Sequence, residues 1–122
     1  MTLKPDVQVP PLRFFYDLQW APWIVWWDFD QATRGIPGVY VTSWFRTKAR
    51  NAGADGVSHS QHLIGTAIDV DVPADRRQLE VIRARLRYCQ YTLNEGDHLH
   101  GQLWLASTEN LYATIDRLSI AA

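Results

Sequence analysis

The chain has 122 residues, a formal net charge of −1 and one cysteine, Cys89. That length suits a single domain over 1–122 with a core of its own. The lone cysteine excludes an internal disulfide, and the lack of any basic run argues against nucleic acid as a partner. Apolar residues make up 47% and charged residues 20%, a globular balance with no stretch long enough to span a bilayer. Cys89 reads as a small core residue. Pro5, Asp6, Pro10 and Pro11 break up the segment after Lys4, so no secretory leader is expected and synthesis is expected in the cytoplasm.

In chain order, residues 1–12 read as an extended arm, because prolines lack amide donors and bias their neighbours away from helix; such arms are usually frayed or loosely packed. A short helix is expected over 21–33, where Trp23, Trp26, Trp27 and Asp30 recur at three- and four-residue spacing. Pro22 fits its first turn, and Gly35 and Pro37 end it. Its tryptophans suit a core; the alternative is an exposed patch for a partner or a glycan. Val39 to Ser43 has strand composition. Residues 44–65 are polar and read as a long, functional loop. Thr66 to Val72 alternates as a strand, with Asp69 and Asp71 on one face and Ile68 and Val70 on the other. A helix is expected next, from Pro73 to about Tyr88, with Leu79, Ile82 and Leu86 as its apolar stripe and its arginines on a solvated face. Residues 88–93 and 97–105 suggest two strands around an Asn94-Glu95-Gly96 turn. Ser107 can cap a last helix that buries Leu111, Ile115 and Leu118. Helices and strands do not alternate as βαβ units. The fold class expected is therefore α+β, a small, mostly antiparallel sheet flanked by helices.

The chemistry gathers in two segments. His62 lies on a loop that Gly65 turns into the strand bearing Asp69. Further on, His98 and His100 sit two residues apart and share a strand face with Gln102 and Trp104, next to acidic Glu95 and Asp97. Imidazole nitrogen and carboxylate oxygen are donors that zinc accepts, and a catalytic zinc site uses three protein ligands.

Ser60-x-His62-x-x-Gly65-x-Ala67-x-Asp69, with a downstream His98-x-His100, resembles the zinc D-Ala-D-Ala carboxypeptidase and L-Ala-D-Glu endopeptidase family, which shares a fold group with lysostaphin-type enzymes and hedgehog domains. Upstream, Thr42-Ser43-Trp44-Phe45-Arg46 resembles the family's Ser-Gly-Tyr-Arg element, with Asn51 where an Asn often follows. The likeness spans about residues 38–105. It implies that His62, Asp69 and His100 bind Zn2+, that Arg46 meets a substrate carboxylate or the developing oxyanion, and that Ser60 supports the substrate side of the site by hydrogen bonding. For the proton-transfer group it leaves three candidates: Asp97, three residues before His100; His98, the first histidine of the pair; and Glu95, which would serve if His98 were the ligand. Strict alternation turns Asp97 away from the His100 face unless the strand begins after it. Trp44-Phe45 replaces the commoner Gly-Tyr, a change at the pocket wall beside Arg46.

The activity implied is zinc-dependent hydrolysis of a peptide bond in bacterial peptidoglycan stem peptides, by a protein acting at the cell wall or on a virion, with a phage structural protein as a further partner. The alternative is a non-catalytic module of the same fold, such as a phage tail or baseplate component.

Overall fold

A computed structural model describes residues 1–47, 60–103 and 111–120. The fold is α+β. Five strands, β1 (Thr2–Leu3), β2 (Tyr40–Ser43), β3 (Ala67–Asp71), β4 (Tyr91–Asn94) and β5 (Leu99–Gln102), form one sheet in the order β1-β2-β3-β5-β4. The helices are α1 (Leu12–Asp17), α2 (Ala21–Ala32), α3 (Gln78–Arg85) and α4 (Leu111–Ile120), with a 3-10 turn, η1 (Gln61–Ile64), just before β3.

The sheet is mixed. β2, β3, β5 and β4 pair antiparallel, as expected, but β1 runs parallel to β2. This corrects the expectation of a loose N-terminal arm. The Thr2 and Lys4 amides donate to Val39 O and Val41 O at 3.0 Å each, and the Phe45 amide donates to Gln8 O at 3.1 Å. Pro5 falls between these pairings, and Pro10 and Pro11 follow them, where no amide is needed.

α2 forms where the sequence predicts, with Pro22 in its first turn, but it buries Val25, Phe29 and Ala32 and leaves Trp23 and Trp27 about half exposed, against the expectation that its tryptophans join the core. The short α1 ahead of it is too brief to show periodicity in sequence. Two residues in the left-handed region, Gln19 and Trp20, turn the chain from α1 into α2. α2 crosses the sheet face of Ile68, Val70, Leu99 and Gly101. There Gly101 is required by close approach: a Cβ would stand 2.7 Å from the Phe29 ring. Phe29, Ile68, Val70, Leu79, Ile82 and Leu99 belong to one continuous core.

α3 is shorter than expected, and its end has a tertiary cause. The buried carboxylate of Asp28, on α2, accepts the amides of Arg87, Tyr88 and Cys89 at 2.8 Å each, claiming three donors that a continuing helix would use. The β4–β5 hairpin turns through Gly96, whose amide donates to the Asn94 side chain at 2.9 Å. In α4, Ile115 and Leu118 are buried, and the helix packs on η1. Most of the expected 44–65 loop, Asn51 within it, and Trp104 and Ser107 lie outside the described residues, as does the Leu111 side chain.

Candidate metal centre

β3 is the central strand, buried along its whole length. A strand covered on both faces usually reads as unbroken apolar sequence. β3 instead carries Asp69 and Asp71 on one face, so these acids are buried by position. The register places Asp69 directly opposite His100 on β5, on the face away from Ile68 and Gly101.

η1 supplies His62. Ser60 caps this turn, its Oγ accepting the His62 amide at 3.2 Å. Gly65 closes it at φ +75°, where a Cβ would lie 2.3 Å from Pro10 Cγ, so both conformation and space demand glycine. The backbone at His62 is also tied to the segment after β2, since the Arg46 amide donates to His62 O at 2.9 Å.

His62, Asp69 and His100 each offer one ligand atom, all within 4.8 Å of one another. Asp69 Oδ1 lies 2.9 Å from His100 Nδ1, and Asp69 Oδ2 lies 3.2 Å from His62 Nε2 and 3.3 Å from Arg46 Nη2. The two imidazoles meet edge to face, 5.2 Å between centroids.

This donor set fits a divalent metal. The Trp44 carbonyl can only accept, so His62 Nδ1, 2.8 Å away, carries the proton and donates it. In a neutral ring this leaves the Nε2 lone pair facing the Asp69 carboxylate, 3.2 Å away. That Nε2 is buried and has no hydrogen-bond partner among the described residues. Two facing lone pairs in a dry site call for a cation, and the Trp44 carbonyl is the kind of outer partner that fixes a metal-binding histidine. Burial draws the Asp69 carboxyl upward; in the metal-free site, with the imidazoles carrying protons, the charge of His62 and the hydrogen bonds of His100 and His62 outweigh it and hold the group well below the usual carboxylate range. Burial also lowers the His100 pKa. The hydrogen bond and charge of Asp69, the Gln102 amide and the charge of Glu95 more than reverse this, so it lies above its ordinary value.

A sequence model of the family described as Peptidase M15 matches residues 30–100, more than half the chain and the whole of this constellation. The chain belongs to the peptidase M15 family. No curated protein and no solved structure matches it. Membership makes it a peptidase-type protein with a metallopeptidase's fold and a three-residue group able to hold a metal.

Of the other residues expected to matter, Arg46 touches the metal group of this M15 chain, while Glu95, Asp97 and His98 form a cluster of their own at the β4–β5 turn. Arg46 is mostly buried. Its Nε donates to Ser43 Oγ at 2.9 Å, and its Nη2 pairs with Asp69. Arg46, Trp44 and Phe45 line a cavity of about 180 Å³ beside the metal group, whose other wall is Asp6 and Val7 of the arm. Trp44 and Phe45 thus line a cavity together with Arg46, though none of the metal group lines it. β5 begins at Leu99, after Asp97, so strand alternation does not bind Asp97. Asp97 is exposed and accepts from His98 Nδ1 at 2.6 Å, and that hydrogen bond, with the charge of His98, keeps its carboxyl below the ordinary value. Glu95 Oε2 lies 3.1 Å from His98 Nε2, so His98 stands between two carboxylates.

Three contributors are not legible in the sequence. Trp44 acts through its backbone carbonyl, which any residue carries. Gln102 bonds His100 Nε2 at 2.7 Å; the shared strand face can be read from the spacing, the contact cannot. Asp6 reaches the cavity only because β1 pins the arm.

Proposed function

We propose that this chain is a zinc-dependent peptidase that hydrolyses a peptide bond in the stem peptides of bacterial peptidoglycan, acting at the cell wall or on a virion. The observation that carries the reading is the unpartnered His62 Nε2, buried beside Asp69 and His100. His62, Asp69 and His100 would hold the zinc, which supplies Lewis acidity and a water acidic enough to ionise near pH 7.

The chain's own groups do the rest. Arg46, planar and fixed by Ser43 and Asp69, presents its guanidinium at the cavity edge and anchors a substrate carboxylate. Ser60 holds η1 in shape and so aims His62. Asp97, ionised and open to solvent, takes a proton as the scissile carbonyl is attacked, and His98, braced by Glu95, orients that carboxylate and shares its proton. The M15 match supports the reaction class. The likeness of the Ser60–Asp69 and His98–His100 segments to wall-cleaving relatives supports the substrate.

Elemental analysis of the purified protein, joined to mass spectrometry of digested peptidoglycan, tests this. About one zinc per chain and products cut at one stem-peptide bond are expected. Cleavage that survives in His62→Ala overturns the site. A metal-free chain that cleaves no wall leaves the non-catalytic module, with a phage structural protein as its partner, in its place.

A further inference from the structure

A cleft of about 720 Å³ lies between α2 and the C-terminal end of α3, lined by Trp27, Asp28, Gln31, Arg85, Arg87 and Tyr88. That volume is in the range of ligand pockets. α2 packs on the Ile68 and Gly101 face of the sheet, whereas Asp69 and His100 project from the opposite face. The cleft is therefore separate from the metal centre and cannot share its reacting atoms.

Its walls are built. Asp28 fixes the backbone of Arg87 and Tyr88 through 2.8 Å hydrogen bonds, so its carboxylate is spent on amides. Arg85 is held by the Ala32 and Arg34 carbonyls, at 3.5 and 3.3 Å, at the end of α2. Arg87 is exposed and has no carboxylate partner among the described residues. Gln31 Nε2 also has no hydrogen-bond partner there. Two arginines thus line a space whose sides are two half-exposed rings, Trp27 (43% exposed) and Tyr88 (53%).

The aromatic wall extends outward. Trp20, Trp23 and Trp27 recur at three- and four-residue steps, and all are 43–48% exposed. Trp23 and Trp27 stand about 6 Å apart along the α2 axis, on the order of one sugar ring, and Trp20, the left-handed residue before α2, packs its ring beside Phe15 and Tyr16. From Phe14 to Thr33 there is no lysine or arginine, so this row is not built for an anionic membrane. Flat rings in series suit the apolar faces of successive sugar rings, and the arginines at the end of the row suit carboxylates.

We infer that the α2–α3 cleft and the tryptophan row leading into it are a second binding site, for stretches of glycan whose lactyl carboxylates carry no stem peptide, which holds the polymer while the metal face works on neighbouring peptides. The inference rests on the proposed cell-wall substrate for its choice of glycan.

The probe is peptide-free glycan strands prepared from peptidoglycan, whose lactyl carboxylates are freed as the stem peptides are removed, titrated into the zinc-loaded chain with tryptophan fluorescence as readout. Saturable binding is expected. Trp27→Ala and Arg87→Gln should each weaken it about tenfold, and His62→Ala should leave it unchanged. A neutral N-acetylglucosamine oligomer should bind more weakly and ignore Arg87→Gln. On a soluble stem peptide, Trp27→Ala should cleave like wild type, while cleavage of intact sacculi should fall. Should Trp27→Ala not fold by circular dichroism, Arg87→Gln, at an exposed position, decides alone. No glycan binding, or binding unchanged in Arg87→Gln, overturns the inference, as does tighter binding of polyphosphate than of glycan. If the protein cleaves stem peptides but binds no glycan, only this inference fails. If it binds glycan with these sensitivities but cleaves nothing, only the peptidase reading fails.

Discussion

Asp28 and Asp69 are both buried carboxylates, 2% and 5% exposed, yet their surroundings assign them opposite work. Asp28 accepts three backbone amides, which cannot titrate, dissociate or take a metal's place. Asp69 is met by His62, His100 and Arg46, side chains that can each change protonation or partner. A carboxylate satisfied by backbone is a fastener. One satisfied by imidazoles, beside an imidazole nitrogen with no partner of its own, is a place for a cation. Burial alone does not separate the two.

The sharpest way to break this contrast is to neutralise each site. His62→Ala and Asp69→Asn should abolish zinc uptake and lower wall cleavage at least about a thousandfold. Asp28→Asn should keep full zinc by elemental analysis; loss of zinc there would erase the distinction. Next in size are the groups beside the metal face. Asp97→Asn should cost about a hundredfold or more in kcat with zinc retained, and Glu95→Gln clearly less. The reverse order in a side-by-side kinetic comparison would move the base to Glu95. Asp28→Asn should instead lower unfolding free energy by about 2–3 kcal/mol in urea titration, because charge-assisted hydrogen bonds to the 87–89 amides weaken. Ser60→Ala should cost about 1 kcal/mol by the same measurement, the value of a lost cap.

The smallest effect is in pH. With metal chelated, the depressed Asp69 carboxyl contributes stability that is present above its ordinary pKa of 3.8 and is lost as pH falls toward its folded value. The raised His100 contributes stability that is present below 6.5 and is lost as pH rises through its folded value. The apo protein should therefore melt highest between roughly pH 4 and 6.5. Asp69→Asn should flatten that profile in thermal melts.

Much of this is readable in the chain. The alternation from Thr66 to Val72 fixes which side of β3 carries the acids, because side chains on a strand have a period of two. Pro22, Gly35 and Pro37 bound α2 by what their backbones permit, whereas the shared strand face expected for His98 and His100 fails because β5 begins only at Leu99. Composition argues against nucleic acid and excludes an internal disulfide. Local chemistry of this kind acts over a few residues, so it survives as pattern.

What the tertiary structure decided acts between distant segments. It paired the proline-marked arm with β2, brought Asp6 to the Arg46 cavity, and stopped α3 by giving its next amides to Asp28. It sorted the tryptophans, stacking Trp26 on Trp44 at 5.0 Å while leaving Trp20, Trp23 and Trp27 half-exposed. It also set Asp69 opposite His100 and aimed the Trp44 carbonyl at His62. Residues 44, 62, 69 and 100 share no local period. Only strand register and a capped turn bring their atoms within bonding reach, so the sequence could name the donors but not close the site.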